Sequence, residues 1–446
     1  MAKSKTARKK KTPYKPVDRV EVFIWDIYAG AVALDPKSGF YVFAWDKEFA
    51  QRGYELAPLH MPLNEEEEIF VFTGLPIETY KRLPAMLADA LPDDFGNALI
   101  NRYMAEHGIN SSQITPLDRL AYMGKRAMGA LEFRPNRGPR TQKPSALEME
   151  KLVTTAREVV RGYADTDEHT EAALRSIIEV GTSANGARAK AVISWNPTTD
   201  EIRSGQVPAE SGFEHWLLKF DGVGEDFELG SSQNYGRIEF AYSLMAKEAK
   251  IEIPECRLFE ENGRAHFMTR RFDRAGNGTK HHMQSLCAIN HIDFKKKSTN
   301  SYEQLFMTIR ELNLDRENEV EAFRRMVFNV MAMNCDDHSK NFSFLLQRGK
   351  KWRLTPAYDI TFAYNPKGEW TNQHLMSVNG KYNDIELDDF YEVANRFSIG
   401  EAKTIIKEVG NAVKRWPSFA KKARVPADEA NRIQKLLKVI STRAEA

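Results

Sequence analysis

Asn334-Cys335-Asp336-Asp337-His338-Ser339-Lys340-Asn341 is the stretch on which the reading of this chain turns. It follows a segment whose apolar residues Val320, Phe323, Val327, Val330 and Met331 recur at helical spacing. The polar cluster therefore falls at the C-terminal end of a buried helix. Downstream, Phe342 to Leu346 reads as a short strand and Gln347 to Lys351 as a charged turn. A second strand, Trp352-Arg353-Leu354, runs into Pro356-Ala357-Tyr358-Asp359. Phosphoryl transfer needs one carboxylate beside the attacking hydroxyl and hard oxygen ligands for magnesium. In protein kinases the catalytic Asp stands five residues before a metal-binding Asn, and a second metal-binding Asp follows. Asp336 and Asn341 have that spacing, and Asp359 comes 18 residues after Asn341. An Asp-x-x-x-x-Asn pair alone carries little, because an Asx-rich loop that caps helix ends has the same composition.

Three upstream features give the cluster its weight. The loop Gly181-Thr182-Ser183-Ala184-Asn185-Gly186-Ala187-Arg188-Ala189-Lys190 opens the β-like run Ala191 to Trp195. Glycines there let successive backbone N–H groups approach phosphate oxygens, although no GK[ST] makes it a P-loop. Lys219 lies inside the apolar strand Trp216-Leu217-Leu218-Lys219-Phe220, where a kinase holds its phosphate-binding lysine. A lysine snorkelling to water is the plainer alternative. Glu239 falls on the next helix, around 237–249, where it can pair with Lys219 or stand as an ordinary surface glutamate. The order of these features along the chain is the kinase order. There is no HExxH and no GxSxG, and the adjacent His281 and His282 make poor chelating geometry.

The rest of the chain sets the frame. At 446 residues it is too long for one core, which predicts two or three domains. With 28 % charged and 42 % hydrophobic residues its composition is that of a globular protein, and no run of 18 apolar residues predicts a membrane span. The three cysteines (Cys256, Cys287, Cys335) form no CxxC pair, which excludes a disulfide framework and suits the cytoplasm. The net charge of +2 divides into +7 over the first twenty residues and −5 over the remainder. That basic arm, with Pro13 and Pro16 and no apolar h-region, is no secretory signal. It reads as a solvated tail, with a contact to nucleic acid as the sharper alternative. Alternating β-formers over 20–45 predict a small sheet, and Glu65 to Glu68 a solvated acidic run. Helical spacing appears over 77–106, with Pro84 inside the pattern, and again over about 146–163 and 171–180. Cys256 to Glu260 and His266 to Met268 flank Asn262-Gly263, a hairpin signal. After about residue 300 the chain reads as nearly all helix, interrupted at 342–354.

These residues resemble the HipA family of bacterial toxins. The similarity is carried by the glycine loop 181–190, Arg271-Phe272-Asp273-Arg274, Asp336 to Asn341 and Leu354 to Asp359. Leu91-Pro92-Asp93 to Asn101-Arg102, then Gly124 to Leu131, are similar to the family's N-terminal region. The resemblance implies an α+β, two-lobed, protein-kinase-like fold. It implies a disordered arm over 1–19, an N-terminal subdomain over 20–130, a β-rich N-lobe over 131–275 and a helical C-lobe over 276–446. It implies a serine/threonine protein kinase that uses ATP and Mg2+. Asp336 would be the catalytic base, and Asn341 and Asp359 the metal ligands. Contacts to ATP would come from Asn185, Gly186, Ala187, Arg188, Ala189, Lys190 and Lys219. Main-chain groups of Arg270, Arg271 and Phe272 would add to these, with His338, Ser339, Lys340, Asn341, Tyr358 and Asp359. Ser183, beside Thr182, matches the position that family members autophosphorylate to switch themselves off. The family pairs with a HipB-like helix-turn-helix antitoxin that binds operator DNA, and its known substrates include aminoacyl-tRNA synthetases.

Departures limit what transfers. Arg270 stands where an acidic residue is expected, so only its backbone role carries over. Ile360 follows the metal Asp where ordinary protein kinases have Phe-Gly, and Asn290 to Tyr302 has no assigned role. Two other functions remain open on the residues alone. One is a small-molecule kinase on the same fold. The other is a non-catalytic component of a DNA-binding complex, motivated by the basic arm.

Overall fold

The computed structural model describes residues 14–64, 69–139, 152–156, 188–206, 209–223, 225–226, 230–231, 234–276 and 278–440. Most of the basic arm, Glu65 to Glu68 and the segment 171–180 lie outside the described residues. So do Thr182, Ser183, Asn185, Gly186 and Ala187. Of the helical pattern over 146–163, residues 152–156 are described, and they are helical.

The chain begins with a five-stranded antiparallel sheet. It is built from β1 (Arg19–Ile24), β2 (Ile27–Leu34), β3 (Tyr41–Trp45), β4 (Ile69–Phe70) and β5 (Leu131–Arg134), in the order β4-β3-β2-β1-β5. Alternation makes the buried face: Val20, Val22 and Ile24 are fully buried while their neighbours are not. Trp25 and Asp26, with φ of 51° and 61°, supply the two positive-φ residues of a tight hairpin. Glu21 to Ile24 of β1 pair with Leu131 to Arg134, so this sheet runs past the boundary expected at residue 130. Short helix α1 (Lys47–Gln51) follows β3.

The helical pattern over 77–106 folds as three pieces: α2 (Ile77–Tyr80), α3 (Ala85–Ala88) and α4 (Asp94–Glu106). Lys81 and Arg82 turn left-handed, with φ of 54° and 65°, and Pro84 caps α3. Apolar spacing survived the break because all three pieces bury their apolar side against the same core, with Leu83, Met86 and Leu87 at 1 %, 2 % and 0 % exposure. Asp93 accepts from Gly96 N–H at 2.7 Å and starts α4, and Thr115 forms a capping box at the start of α5 (Pro116–Met123).

A second antiparallel sheet is ordered β11-β12-β8-β6-β7, from β6 (Lys190–Trp195), β7 (Ile202–Ser204), β8 (Glu214–Lys219), β11 (Cys256–Glu261) and β12 (Arg264–Arg270). The pair β9 (Glu225–Asp226) and β10 (Gly230–Ser231) precedes α6 (Tyr235–Glu248), which packs on β12. Asn262 and Gly263 turn β11 into β12 with positive φ at both. Register places Lys190 opposite Lys219 across β6 and β8. Directly opposite residues of an antiparallel pair project to one face, so both lysines face the cleft.

Beyond the hairpin after Arg270 the chain forms the helical lobe: α7 (Leu286–Ile289), α8 (Tyr302–Glu311), α9 (Arg316–Met331), α10 (Leu387–Phe397), α11 (Ala402–Lys414), α12 (Trp416–Lys422) and α13 (Ala427–Leu436). Helix α9 is buried along Phe323, Val327, Val330 and Met331, as its spacing predicts, with Met326 added and Val320 only partly buried. The interruption is a small sheet, β13 (His282–Ser285), β15 (Ser343–Leu346) and β16 (Trp352–Leu354). A separate parallel pair joins β14 (Asn300–Ser301) and β17 (Met376–Ser377). No helix among the described residues is long and apolar enough to cross a membrane.

Candidate active site

The site lies where the second sheet meets the helical lobe. Lys219, the last residue of β8, donates to Glu239 Oε1 of α6 and to Asp359 Oδ1, both at 2.5 Å. The sequence placed these three residues 20 and 140 positions apart, and the fold brings them into one contact. Burial disfavours the ammonium, but Asp359 and then Glu239 more than offset this, and the Lys219 pKa is raised. The same contact, aided by Lys190, holds the Asp359 carboxyl below its usual value against the cost of burial. Asp359 sits at φ 53°, a left-handed conformation that aspartate tolerates better than most residues.

Asp336 stands apart from this trio. Its carboxylate is 48 % exposed and lies 3.7 Å from His338 Nε2. Partial burial raises its pKa; His338 opposes the shift, while Asp359 and Asp337 add to it. The loop around it is held at several points. Asn341 Nδ2 donates to the Asp336 main-chain oxygen at 2.7 Å, which leaves the amide oxygen as a ligand. Ser339 Oγ donates to Ile292 O at 2.6 Å, and Tyr358 OH to Lys340 O at 2.7 Å. Lys340 Nζ lies 5.0 Å from the Phe294 ring centroid. Arg188 lies over the Tyr235 ring at 4.0 Å, and its charge reaches Asp336.

A pocket opens beside Asp359, lined by Met128, Leu217, Thr269, Phe272, Met283 and Tyr358 together with Glu239 and Asp359. Its lining is apolar and aromatic, as an adenine ring requires. The Phe272 and Tyr358 rings stand 6.0 Å apart. Arg270 and Arg271 are less available than expected. Arg270 N–H donates to Glu255 O at 2.8 Å and Arg271 N–H to His215 O at 2.9 Å. The Arg270 side chain pairs with Glu214, and that of Arg271 is buried against Asp273. A base would have to use the remaining main-chain groups of this segment.

Lys190 differs most from its expected role. Its side chain is 2 % exposed and pairs at 3.1 Å with Asp93, an N-terminal-domain residue that is itself 5 % exposed. Ala189, just before β6, is buried, and its carbonyl accepts from Phe220 N–H. Sequence reasoning gave Asp93 no role and did not see Met128 in the pocket. Nor did it assign Asp273, whose carboxylate takes Arg271 Nη2 at 2.6 Å, Arg274 Nη1 at 2.7 Å and Gly129 N–H at 2.8 Å. The Arg-x-Asp-Arg spacing was the available signal for that last cluster.

Family comparison agrees with the geometry. Residues 20–134 match the model of the HipA N-terminal domain, and residues 182–416 that of the HipA-like C-terminal domain. The chain belongs to the HipA family. Its fold matches a chain of the Shewanella oneidensis MR-1 complex of HipA, HipB and operator DNA, with a TM-score of 0.65 at 15 % identity. That match covers 93 % of this chain and 94 % of the other, and it carries the two-lobed architecture. A Sinorhizobium fredii protein named "Putative kinase Y4dM" is 24 % identical over 240 residues, and a like-named protein of Haemophilus influenzae is 27 % identical over 199. These matches span 55 % and 57 % of those relatives and 49 % and 38 % of this chain.

Proposed function

We propose that this HipA-family chain is a serine/threonine protein kinase that uses ATP and Mg2+ and acts as the toxin of a HipA/HipB-type pair. The observation that carries the reading is the contact of Lys219 with both Glu239 and Asp359, beside a separate half-exposed Asp336. A lysine on a strand, a glutamate on the following helix and a metal-binding aspartate are the parts that kinases hold together to transfer phosphate.

The residues fit the implied groups. Magnesium is usually held by one or two carboxylates together with substrate phosphates, not by an all-protein cage. No group of three or more His, Cys, Asp or Glu gathers among the described residues. The Asp359 carboxylate and the Asn341 amide oxygen would hold the ion, which supplies charge neutralisation at the phosphates. Lys219 would exchange Asp359 for phosphate oxygens while keeping Glu239. Asp336 would orient the acceptor hydroxyl and accept its proton, and its raised pKa moves it toward the range of a useful base. His338 and Lys340 would steady the transferred phosphoryl group.

The finer parts of the reading rest on the family. They are a protein acceptor, with an aminoacyl-tRNA synthetase as one candidate, a HipB-like antitoxin that contacts DNA, and autophosphorylation of Ser183 as an off-switch. The Asp336→Ala variant tests the core of the proposal. It should keep the fold and Mg-ATP binding and lose transfer of label from ATP to protein, including to Ser183. Full transfer by that variant would refute the role of Asp336; label appearing only in small metabolites would replace the protein acceptor.

A further inference from the structure

Asp336 and Asp337 are neighbours with opposite fates. Asp336 is half exposed, whereas the Asp337 side chain is fully buried. Asp337 Oδ2 accepts from Tyr302 OH at 2.8 Å and from His374 Nδ1 at 2.9 Å, and Asp337 Oδ1 accepts from Leu375 N–H at 2.7 Å. Tyr302 is fixed in turn by Asn329 Nδ2 at 2.9 Å, and Asn329 Oδ1 accepts from Asn334 Nδ2 at 2.9 Å. One buried carboxylate thus joins the candidate catalytic loop, the start of α8 and the chain that follows Asp359.

That following chain is the counterpart of the segment that many kinases order by phosphorylation, through an arginine beside the catalytic aspartate. Here the polarity is reversed. The anion stands on the loop beside Asp336, and the ring that meets it stands on the segment. Neither partner needs an added phosphate, and both are already buried. The segment has further anchors. Cys335 N–H donates to Ala363 O at 3.0 Å, and Met376 and Ser377 pair in parallel with Asn300 and Ser301. Lys297 pairs with Glu369 at 3.0 Å, and Gln373 Nε2 donates to Ser298 Oγ at 3.0 Å. The stretch Asn290 to Tyr302, without a role in the sequence, is the bed on which this segment rests.

We propose that Asp337 and His374 form a permanent clasp that aims Asp336 into the cleft and holds the segment after Asp359 in its acceptor-receiving arrangement without phosphorylation of that segment. Both are positioning residues, and the clasp rests on the kinase reading given above.

The test uses the purified full chain. His374→Ala should leave the ATP dissociation constant within about 2-fold and lower kcat by ~10- to 100-fold, the scale of a small misplacement of a catalytic group. Tyr302→Phe, which removes the hydroxyl's hydrogen bonds to Asp337 and from Asn329 with little change in volume, should lower kcat by a smaller factor in the same direction. His374→Asn, which keeps a donor near the ring nitrogen, should recover part of the loss. Hydrogen exchange should rise over residues 371–378 and stay unchanged around Lys219 and Glu239. An unchanged kcat in both His374→Ala and Tyr302→Phe would overturn the clasp. So would a loss of ATP binding in step with kcat, or exchange rising equally across the helical lobe. A wild-type chain that transfers no phosphate from ATP would instead remove the kinase reading, and the clasp with it.

Discussion

Gly236, the second residue of α6, sits where the helix crosses β12 at its closest. A Cβ added there would stand 1.9 Å from Ala265 O and 3.0 Å from Ala265 C. Both atoms are backbone, so no side-chain rotation relieves the collision, and helix and strand must separate by about 1.5 Å to restore contact distance. Glu239 lies on the same helix three residues on, and its carboxylate meets Lys219 at 2.5 Å. Gly236→Ala therefore stretches the contact that carries the proposed function. Overpacking of this kind costs ~1–3 kcal/mol. A backbone collision belongs at the upper end, and the better helix propensity of alanine returns at most about 1 kcal/mol. The net loss of about 2 kcal/mol corresponds to a fall in Tm of roughly 4–8 °C for a domain of this size. The effect on phosphoryl transfer should be larger, on the order of 100-fold in kcat/KM, because a 1 Å misplacement of a positioning group costs that much. Gly276→Ala is the control, since its added Cβ meets nothing within 4 Å. Thermal melts and initial rates of label transfer measure both quantities. A Gly236→Ala protein that melts and turns over like Gly276→Ala would refute the close approach and its link to Glu239.

Two further predictions concern charge. The raised pKa of Asp336 places the acid limb of kcat/KM above the ordinary aspartate range: the carboxylate must be ionised to take the hydroxyl proton, so activity falls as pH drops through that pKa. His338 lowers the Asp336 pKa, so His338→Gln should shift the limb to higher pH, and a shift to lower pH would contradict the assignment. Asp93→Asn keeps a good helix cap but removes the carboxylate that pairs with buried Lys190, which should cost about 3–5 kcal/mol in denaturant unfolding. Asp93→Asn combined with Lys190→Met should recover most of that loss, whereas additive losses would mean the two residues do not act as a pair.

What the sequence revealed and what it hid divide along a physical line. Strands β1 to β3, helix α9 and the Asn262-Gly263 hairpin follow from alternation, helical period and turn chemistry, all of which are local. Asp336, Asn341 and Asp359 were legible because one loop and one hairpin set their spacing. Lys219 and Glu239 were legible as a pairing because a strand followed by a helix brings one residue of each together. The partners of Lys190 and Asp337 were not, because Asp93 and His374 are brought to them by tertiary packing that no period records. The break of the 77–106 pattern at Lys81 and Arg82 was hidden for a related reason. Three short helices that bury the same side reproduce the spacing of one long helix.

The two cleft lysines show why these distant partners matter. Lys190 and Lys219 face each other across β6 and β8, and two buried ammonium groups on one face would each carry a large desolvation cost. Each is neutralised by a different part of the chain: Lys190 by Asp93 of the N-terminal domain, Lys219 by Glu239 and Asp359. Lys219 has two carboxylates for one charge, so Asp359 can be given up to a cation while Glu239 still holds the ammonium. Drawing Lys190 to a phosphate would strand Asp93, whose carboxyl burial already pushes upward in pKa against the pull of Lys190. On the kinase reading proposed above, the N-terminal domain would serve as a wall of the cleft, contributing Met128 to the pocket and Asp93 as the partner of Lys190, while Lys219 and Asp359 would be the pair that rearranges around a nucleotide.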